Sequence, residues 1–243
     1  GLVIEPLKEL YKDEVRRLGE DLGLPHDLVW RHPFPGPGLG VRILCASSPS
    51  HLSAMETQDE VRLSQVLSGA YLVPPVTSVG VQGDGRTYRH AIALFSHHPC
   101  VITPEHITLG TTVPNQIRAF NRVLLCTSHT APFEPVFTPG FLMRDRADLL
   151  READAIVTEE IRAADLYESI WQFPVVLLPF GAEKGSESIV LRPISSQDAM
   201  TADAFVLPEE VLAQITRRLL DLPGISAVFF DLTHKPPATI EWE

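Results

Sequence analysis

Cysteine is scarce in this sequence. Cys45, Cys100 and Cys126 are the three thiols among 243 residues, odd in number and far apart, which excludes a disulfide framework and a paired-cysteine metal knuckle. They read as buried thiols. No apolar run approaches the ~18 residues that cross a bilayer, and the opening Gly1-Leu-Val-Ile-Glu-Pro6 has neither the basic nor the apolar part of a signal peptide. The expectation is a cytoplasmic chain with no membrane partner. Basic residues are outnumbered, 20 against 31 acidic, for a formal net charge of −11. A long polyanion is repelled by such a surface, and no local basic stripe compensates, so no nucleic acid is expected. A small anion needs only two or three local cations.

Complete catalytic constellations are missing too. His97-His98 lacks a second pair at metal-ligand spacing. Gly36-Pro-Gly-Leu-Gly40 follows no strand and is interrupted by proline, so it is no dinucleotide fingerprint. No serine sits in a nucleophile elbow, and no phosphate loop for ATP occurs. No catalytic residue and no metal ligand is assigned.

What is present is ordinary globular composition, 44% hydrophobic and 21% charged. Leu7 to Leu22 carries apolar residues at three- and four-residue steps, an amphipathic helix stopped by Gly23. Arg31-His-Pro-Phe-Pro-Gly-Pro-Gly-Leu39 is a stiff connector. Helices are expected at Thr57 to Leu67, Pro104 to Gly110, Arg146 to Leu166 and Pro208 to Leu220. Tyr71 to Phe95 reads as two strands around a Gly83-Asp84-Gly85 turn. Arg122 to Thr127, Val175 to Leu178, Ser188 to Ile194 and Ala227 to Leu232 read as strands, and His129 to Gly140 as a proline-rich linker.

Asn121 to His129 resembles Ser226 to His234 and Leu72-Val-Pro74 resembles Leu177-Leu-Pro179, both at an offset of 105 residues. The expected fold is α+β: two tandem helix-strand-strand-helix-strand units, each a small sheet with helices on one face, after an N-terminal helix. The boundaries are 1–30, a linker at 31–40, a first repeat at 41–140 and a second at 141–243.

Candidate binding residues come from four places. In Asp231-Leu-Thr-His-Lys-Pro-Pro-Ala-Thr-Ile-Glu-Trp-Glu243, Lys235 directly follows an apolar strand, and two prolines stiffen the exit. A lysine, a threonine hydroxyl and free backbone N–H groups suit a phosphate, while the bland alternative is a frayed tail. The glycine-rich turn holding Asp84 and Arg86 lets a ligand approach the backbone, or is a plain hairpin with solvated charges. Arg122 at the start of a strand offers a fork for a phosphate, or is a surface ion pair. Gln172, between Trp171 and Phe173, is an amide that reads a ligand edge or a satisfied core amide.

Three segments together resemble the C-terminal part of the GMP synthetases. Ile4-Glu-Pro-Leu-Lys-Glu-Leu-Tyr-Lys-Asp-Glu-Val-Arg-Arg-Leu-Gly19 is similar to the last helix of that family's ATP-pyrophosphatase domain, Arg31 to Leu39 to its linker, and Lys235-Pro-Pro-Ala-Thr-Ile-Glu-Trp-Glu243 to its C-terminal signature. Val79-Gly-Val-Gln-Gly-Asp-Gly-Arg86 and Asp198-Ala-Met-Thr201 add to the likeness. The resemblance implies a ligase that converts xanthosine monophosphate (XMP) to GMP with Mg-ATP and glutamine-derived ammonia. Residues 1–30 would be a remnant of the ATP-pyrophosphatase domain, and the two repeats the long, eukaryotic-type dimerisation region. Lys235, Thr239, Ile240 and Glu241 would hold the XMP phosphate and ribose, with Arg122, Asp84 and Gln172 assisting. ATP and Mg would bind elsewhere and none to this chain. XMP, a second copy in a homodimer, and the ATP-pyrophosphatase and glutamine amidotransferase domains would be its partners. The glutaminase cysteine and the ATP loop are absent from the sequence, so the chain reads as a fragment, inactive alone. The competing reading is a purely structural dimerisation module.

Overall fold

The computed structural model describes residues 3–33, 38–53, 55–82, 85–196 and 201–243. Asp84, the centre of the linker at 34–37 and Asp198-Ala-Met200 lie outside the described residues. The chain divides into two units, 1–34 and 35–243.

The smaller unit holds α1 (Lys12–Asp21) and α2 (His26–Val29). The helix expected from Leu7 begins later, because 6–9 form turns and the chain becomes helical only where Glu14 Oε2 accepts from the Tyr11 N–H at 2.8 Å. Glu20 joins the two helices by accepting from Trp30 Nε1 at 2.6 Å and contacting His26 Nδ1 at 2.9 Å. Val3, Ile4 and Tyr11 are exposed.

The larger unit starts with a single 3₁₀ turn over Gly40–Arg42 and continues through α3 (Thr57–Val66), β1 (Tyr71–Leu72), β2 (Thr77–Gln82), β3 (Gly85–Leu94), α4 (Pro104–Gln116), β4 (Phe120–Cys126) and β5 (Val136–Phe137). Then follow α5 (Arg144–Ala163), β6 (Val175–Leu178), β7 (Phe180–Gly181), β8 (Glu187–Leu191), β9 (Ile194–Ser195), β10 (Asp203–Ala204), α6 (Glu209–Leu220) and β11 (Ile225–Asp231). The main sheet has seven strands in the order β1-β3-β4-β11-β8-β6, with β2 paired to β3. β5 pairs β7 and β9 pairs β10 in two small ribbons.

Two strand triples, β2-β3-β4 and β6-β8-β11, lie in this one sheet. They join where β4 and β11 run antiparallel, with Leu125 opposite Phe230. That pair is separated by the same 105 residues as the sequence similarity, so the offset carries a residue onto its own partner across the seam. In each triple the parallel pair carries one extra residue: Asn121 in β4 and Ser226 in β11. Such a bulge re-aims the strand around it, and the two sit at the same offset.

Every strand residue of β4, β6 and β8 is buried, and the alternation of side chains sends them to two layers. Phe120, Val123, Leu125, Val228 and Phe230 pack on the helix side against Val113, Ile117, Leu150, Val157, Leu212 and Ile215. Leu124, Cys126, Ala227 and Phe229 face the helix-free side, where Leu44, Phe180 and Trp242 cover them. At ~25 cal/mol per Å² of apolar surface removed from water, these two layers are the main stabilising contribution. Cys126 is buried, Cys45 and Cys100 are half-buried, and all three are free thiols.

Two elements differ from the sequence reading. α4 continues past Gly110 to Gln116, through Pro114. Gly110 is not a stop: a β-carbon there would lie 2.2 Å from the Leu232 carbonyl oxygen, so glycine lets the helix lie against the chain leaving β11. The linker at 129–140 contributes β5, which closes over Phe180 and Gly181.

Candidate functional site

The helix-free face of the sheet carries three charges that water does not reach. Arg122 on β4, Arg192 just after β8 and Asp231 at the end of β11 are each 0% exposed. Asp231 Oδ2 lies 2.9 Å from Nη1 of both arginines. Desolvation makes such a cluster costly unless every donor finds an acceptor. The remaining donors find them in the tail, in Thr233 and on β2. Arg192 donates through Nε to Ile240 O (3.1 Å), through Nη1 to Thr233 O (3.0 Å) and through Nη2 to Thr239 O (2.9 Å). Arg122 donates through Nε to Ser78 Oγ (3.0 Å) and through Nη2 to Val79 O, Thr239 O, Thr239 Oγ1 and Glu241 O at 2.6–3.2 Å. Trp242 closes the arrangement, with its ring centroid 4.7 Å from the Arg122 guanidinium carbon and its Nε1 donating to Asp231 Oδ2 at 3.1 Å.

The charges respond to this enclosure. Burial draws the Arg122 guanidinium down to about 9, partly offset by Asp231. Burial pushes the Asp231 carboxyl up, but Arg192 and Arg122 outweigh it and hold the group below the ordinary carboxylate range. Two guanidiniums share one buried carboxylate, so positive charge is in excess directly beneath the tail.

The tail itself is laid along β2 of the first triple. Val79 N–H donates to Trp242 O (2.9 Å), Val81 N–H donates to Pro237 O (2.7 Å), and Thr239 Oγ1 donates to Val79 O (3.0 Å). Gly80 makes this approach possible, because a β-carbon there would stand 3.0 Å from Pro237 O. The Lys235–Pro236 and Pro236–Pro237 peptide bonds are both cis. Lys235 is anchored at its backbone by a two-way bridge to Ala202, with N–H···O distances of 2.7 and 3.1 Å, and the neighbouring His234 Nδ1 meets Asp203 Oδ1 at 2.6 Å. While the carbonyls of Thr239, Ile240 and Glu241 accept from the two arginines, their N–H groups make no hydrogen bond among the described residues.

The structure therefore brings Lys235, Thr239, Ile240, Glu241 and Arg122 into one neighbourhood, and the frayed-tail alternative does not hold. Arg122 is neither a surface ion pair nor open to solvent: Nε, Nη1 and Nη2 are all engaged inside the protein, so it holds the tail from beneath. Gln172 is 3% exposed and pairs through its backbone with Ile194, whose side chain packs with Ile240, Ala202 and Trp171. That places Gln172 beside the tail's apolar anchor. Asp84 lies outside the described residues; β2, on which the tail rests, ends at Gln82.

Sequence reasoning missed Arg192, Asp231, Ser78 and Trp242. A signal was available for two of them. Arg192 and Asp231 each terminate an otherwise apolar strand, Ile189-Val-Leu-Arg192 and Val228-Phe-Phe-Asp231. A charge at that position is either at the surface or in a buried pair.

Residues 159–242 match the family described as GMP synthase C terminal domain. The matched stretch runs from the end of α5 through the tail and includes Gln172 but not Arg122 or Asp84. Over its full length the chain is 45% identical to a probable glutamine-hydrolysing GMP synthase of Leptospira interrogans and 36% identical to a glutamine-hydrolysing GMP synthase of Dictyostelium discoideum, covering 40% of each. Over 99% of its length it is 33% identical to the corresponding protein of Thermobifida fusca, covering 29% of it. The chain thus spans about two fifths of the first two of these relatives. Both triples of the sheet and the laced tail lie within the aligned length, and the chain belongs to the GMP synthase family as a C-terminal region of it.

Proposed function

We propose that this chain supplies the phosphate- and ribose-holding part of an XMP site in an enzyme that converts XMP to GMP with ATP and glutamine-derived ammonia. One observation carries the reading: three consecutive tail amides, Thr239 to Glu241, have N–H groups with no hydrogen-bond partner among the described residues, over a buried excess of positive charge and next to Lys235. Successive backbone N–H groups of this kind form an anion-binding concavity, and lysine adds a mobile point charge. Thr239, Ile240 and Glu241 bind through their backbone and Lys235 through its ammonium group, and Gln172 supports the tail's apolar anchor from beside Ile194; Asp84, proposed with them, lies outside the described residues. Arg122 and Arg192 act on the ligand through the tail they hold.

The residues described do not fit an ATP–magnesium site. No glycine-rich phosphate loop occurs in the sequence, and no group of three or more His, Cys, Asp or Glu is placed to hold a metal among the described residues. The chemical steps belong to the ATP-pyrophosphatase and glutaminase partner domains of the whole enzyme. The proposed compartment is the cytoplasm; among the described residues no helix is long and apolar enough to cross a membrane.

A homodimer is the second part of the proposal, and the sheet constrains it. One outer edge, β6, is met by the bridge from Ile43 to Leu177, and the β2 edge by the tail. A second copy therefore docks on helices or loops and not by adding a strand. Calorimetric titration of XMP into the chain tests the binding reading. Weak saturable binding, lost in Lys235→Ala and nearly retained with IMP, is expected. No heat at millimolar XMP would leave the purely structural module.

A further inference from the structure

Among the described residues, eight arginines of the larger unit pair with a carboxylate, including Arg42, Arg122, Arg146, Arg192 and Arg218. Arg89 on β3 and Arg118, in the turn between α4 and β4, do not. Their guanidinium groups make no ion pair or hydrogen bond among the described residues. Both line two cavities. One, of about 530 Å³, is bounded by Pro114, Asn115, Val81 and the tail residues Pro236 and Pro237, with no acidic side chain on its lining among the described residues. The other, of about 670 Å³, extends from the same two arginines towards His51 and His90 and has Glu56 and Asp59 on its lining.

The smaller cavity thus places two guanidiniums that make no ion pair among the described residues on one wall, in a chain whose net charge is −11. Left empty, such a wall gathers like charges with no counter-charge, which costs free energy that an anion recovers. The planar fork of arginine matches phosphate oxygens two at a time. Asn115 supplies an amide donor, and three prolines supply an apolar floor of the kind found in small-ligand sites. A further group sits in the adjoining cavity: Thr87 Oγ1 is shut away from solvent and has no hydrogen-bond partner among the described residues. A turn about its χ1 brings that hydroxyl to a ligand.

We propose that Arg89 and Arg118 form a second anion site, on the first-triple side of the tail, that takes a phosphate or diphosphate group. Its lining does not include Thr239, Ile240 or Glu241, and it does not depend on the XMP reading. Its ligand is either a free inorganic anion held by the arginines alone or the phosphate end of a nucleotide whose base lies on the prolines.

The test is done in the Lys235→Ala background, which silences the tail. Inorganic phosphate, pyrophosphate and a nucleoside monophosphate are titrated calorimetrically into that protein and into the same protein carrying Arg118→Gln or Arg89→Gln. Saturable binding of at least one of these anions, weakened tenfold or more by Arg118→Gln, is expected. Tighter binding of the nucleotide than of phosphate assigns the organic source, and the reverse order assigns the inorganic one. Arg118 is exposed, so its replacement leaves the fold intact; a thermal melt of each variant checks this. Absence of saturation with all three anions at millimolar concentration, or affinities unchanged by both glutamine variants, overturns the proposal. Loss of XMP binding in Lys235→Ala alone speaks only to the tail site.

Discussion

The indole N–H of Trp242 donates to the carboxylate of Asp231, eleven residues earlier, at 3.1 Å. The chain leaves β11, turns through two cis prolines, crosses β2 and returns to the residue from which it started. The loop so closed contains every tail residue proposed to touch a nucleotide. The proposed binding surface is thus built on a carboxylate that is itself fully buried.

Asp231→Asn removes the charge and keeps the shape. It leaves two fully buried guanidiniums without a counter-ion, the situation in which breaking a buried pair costs about 3–5 kcal/mol. A loss of that size in urea unfolding is expected, together with loss of XMP affinity. Unchanged stability would mean that the arginines are compensated by another group.

Arg122→Lys conserves charge but not the fork. One ammonium cannot serve Ser78, Asp231, Val79, Thr239 and Glu241 together. Destabilisation of at least ~2 kcal/mol is expected, with Trp242 fluorescence shifting to the red as the tail loosens. Retention of the buried-indole spectrum would show that the tail is held without Arg122.

Gly110→Ala improves helix propensity by up to ~1 kcal/mol in isolation, yet here its methyl group meets the Leu232 carbonyl oxygen at 2.2 Å. The backbone must move, so the net result expected is a loss of about 1–3 kcal/mol. Gly69→Ala, with nothing within 4 Å, serves as the neutral comparison in the same thermal melts.

Acid should weaken the fold in two steps. His90, His106 and His129 are each held below the ordinary imidazole value of 6.5, in every case chiefly by burial. Between the folded and unfolded values the unfolded chain binds more protons, so stability is full above about pH 6.5 and falls as the pH drops below it. Asp231, with a depressed carboxyl, adds stability above about 3.8 that is lost in a second step at lower pH. Urea midpoints at pH 8, 6 and 5 measure the first step, and His90→Gln should make it shallower.

XMP binding at the tail should weaken with salt. The half-buried Lys235 meets solvent, and a charge at such a surface is screened over a Debye length of about 8–10 Å, unlike the buried arginines beneath. Affinity measured at low and physiological ionic strength should fall; a flat response would point to hydrogen bonds alone.

Much of the fold was legible because the signals were local. The face Leu150, Ala153, Val157 and Ile161 of α5 and the apolar run of β11 are periodicities that any packing must honour. The 105-residue offset was visible as a similarity, but that it also relates Leu125 to its strand partner Phe230 could be seen only in the sheet. What was not legible was long-range. Nothing near Gly110 announces Leu232, so a glycine required by close approach read as a helix stop. Arg122 stood out in the sequence, yet whether its fork points to a ligand or to Asp231, 109 residues away, is a question of tertiary structure. The tail residues were readable from a signature, whereas the arginine that supports them from β8 carried no motif.

The edge of β2 is completed by residues some 160 positions further along the chain. That separation has a consequence for how the molecule is made. The first triple leaves the ribosome well before the tail exists, and until then β2 presents open N–H and C=O groups of the kind that recruit foreign strands. Contacts of such high sequence separation also form late and slowly. The interval between synthesis of Gly80 and closure by Pro237 is therefore the period in which the nascent protein is exposed to aggregation. Slowing translation within the second half should lower its soluble yield more than the same delay before residue 77.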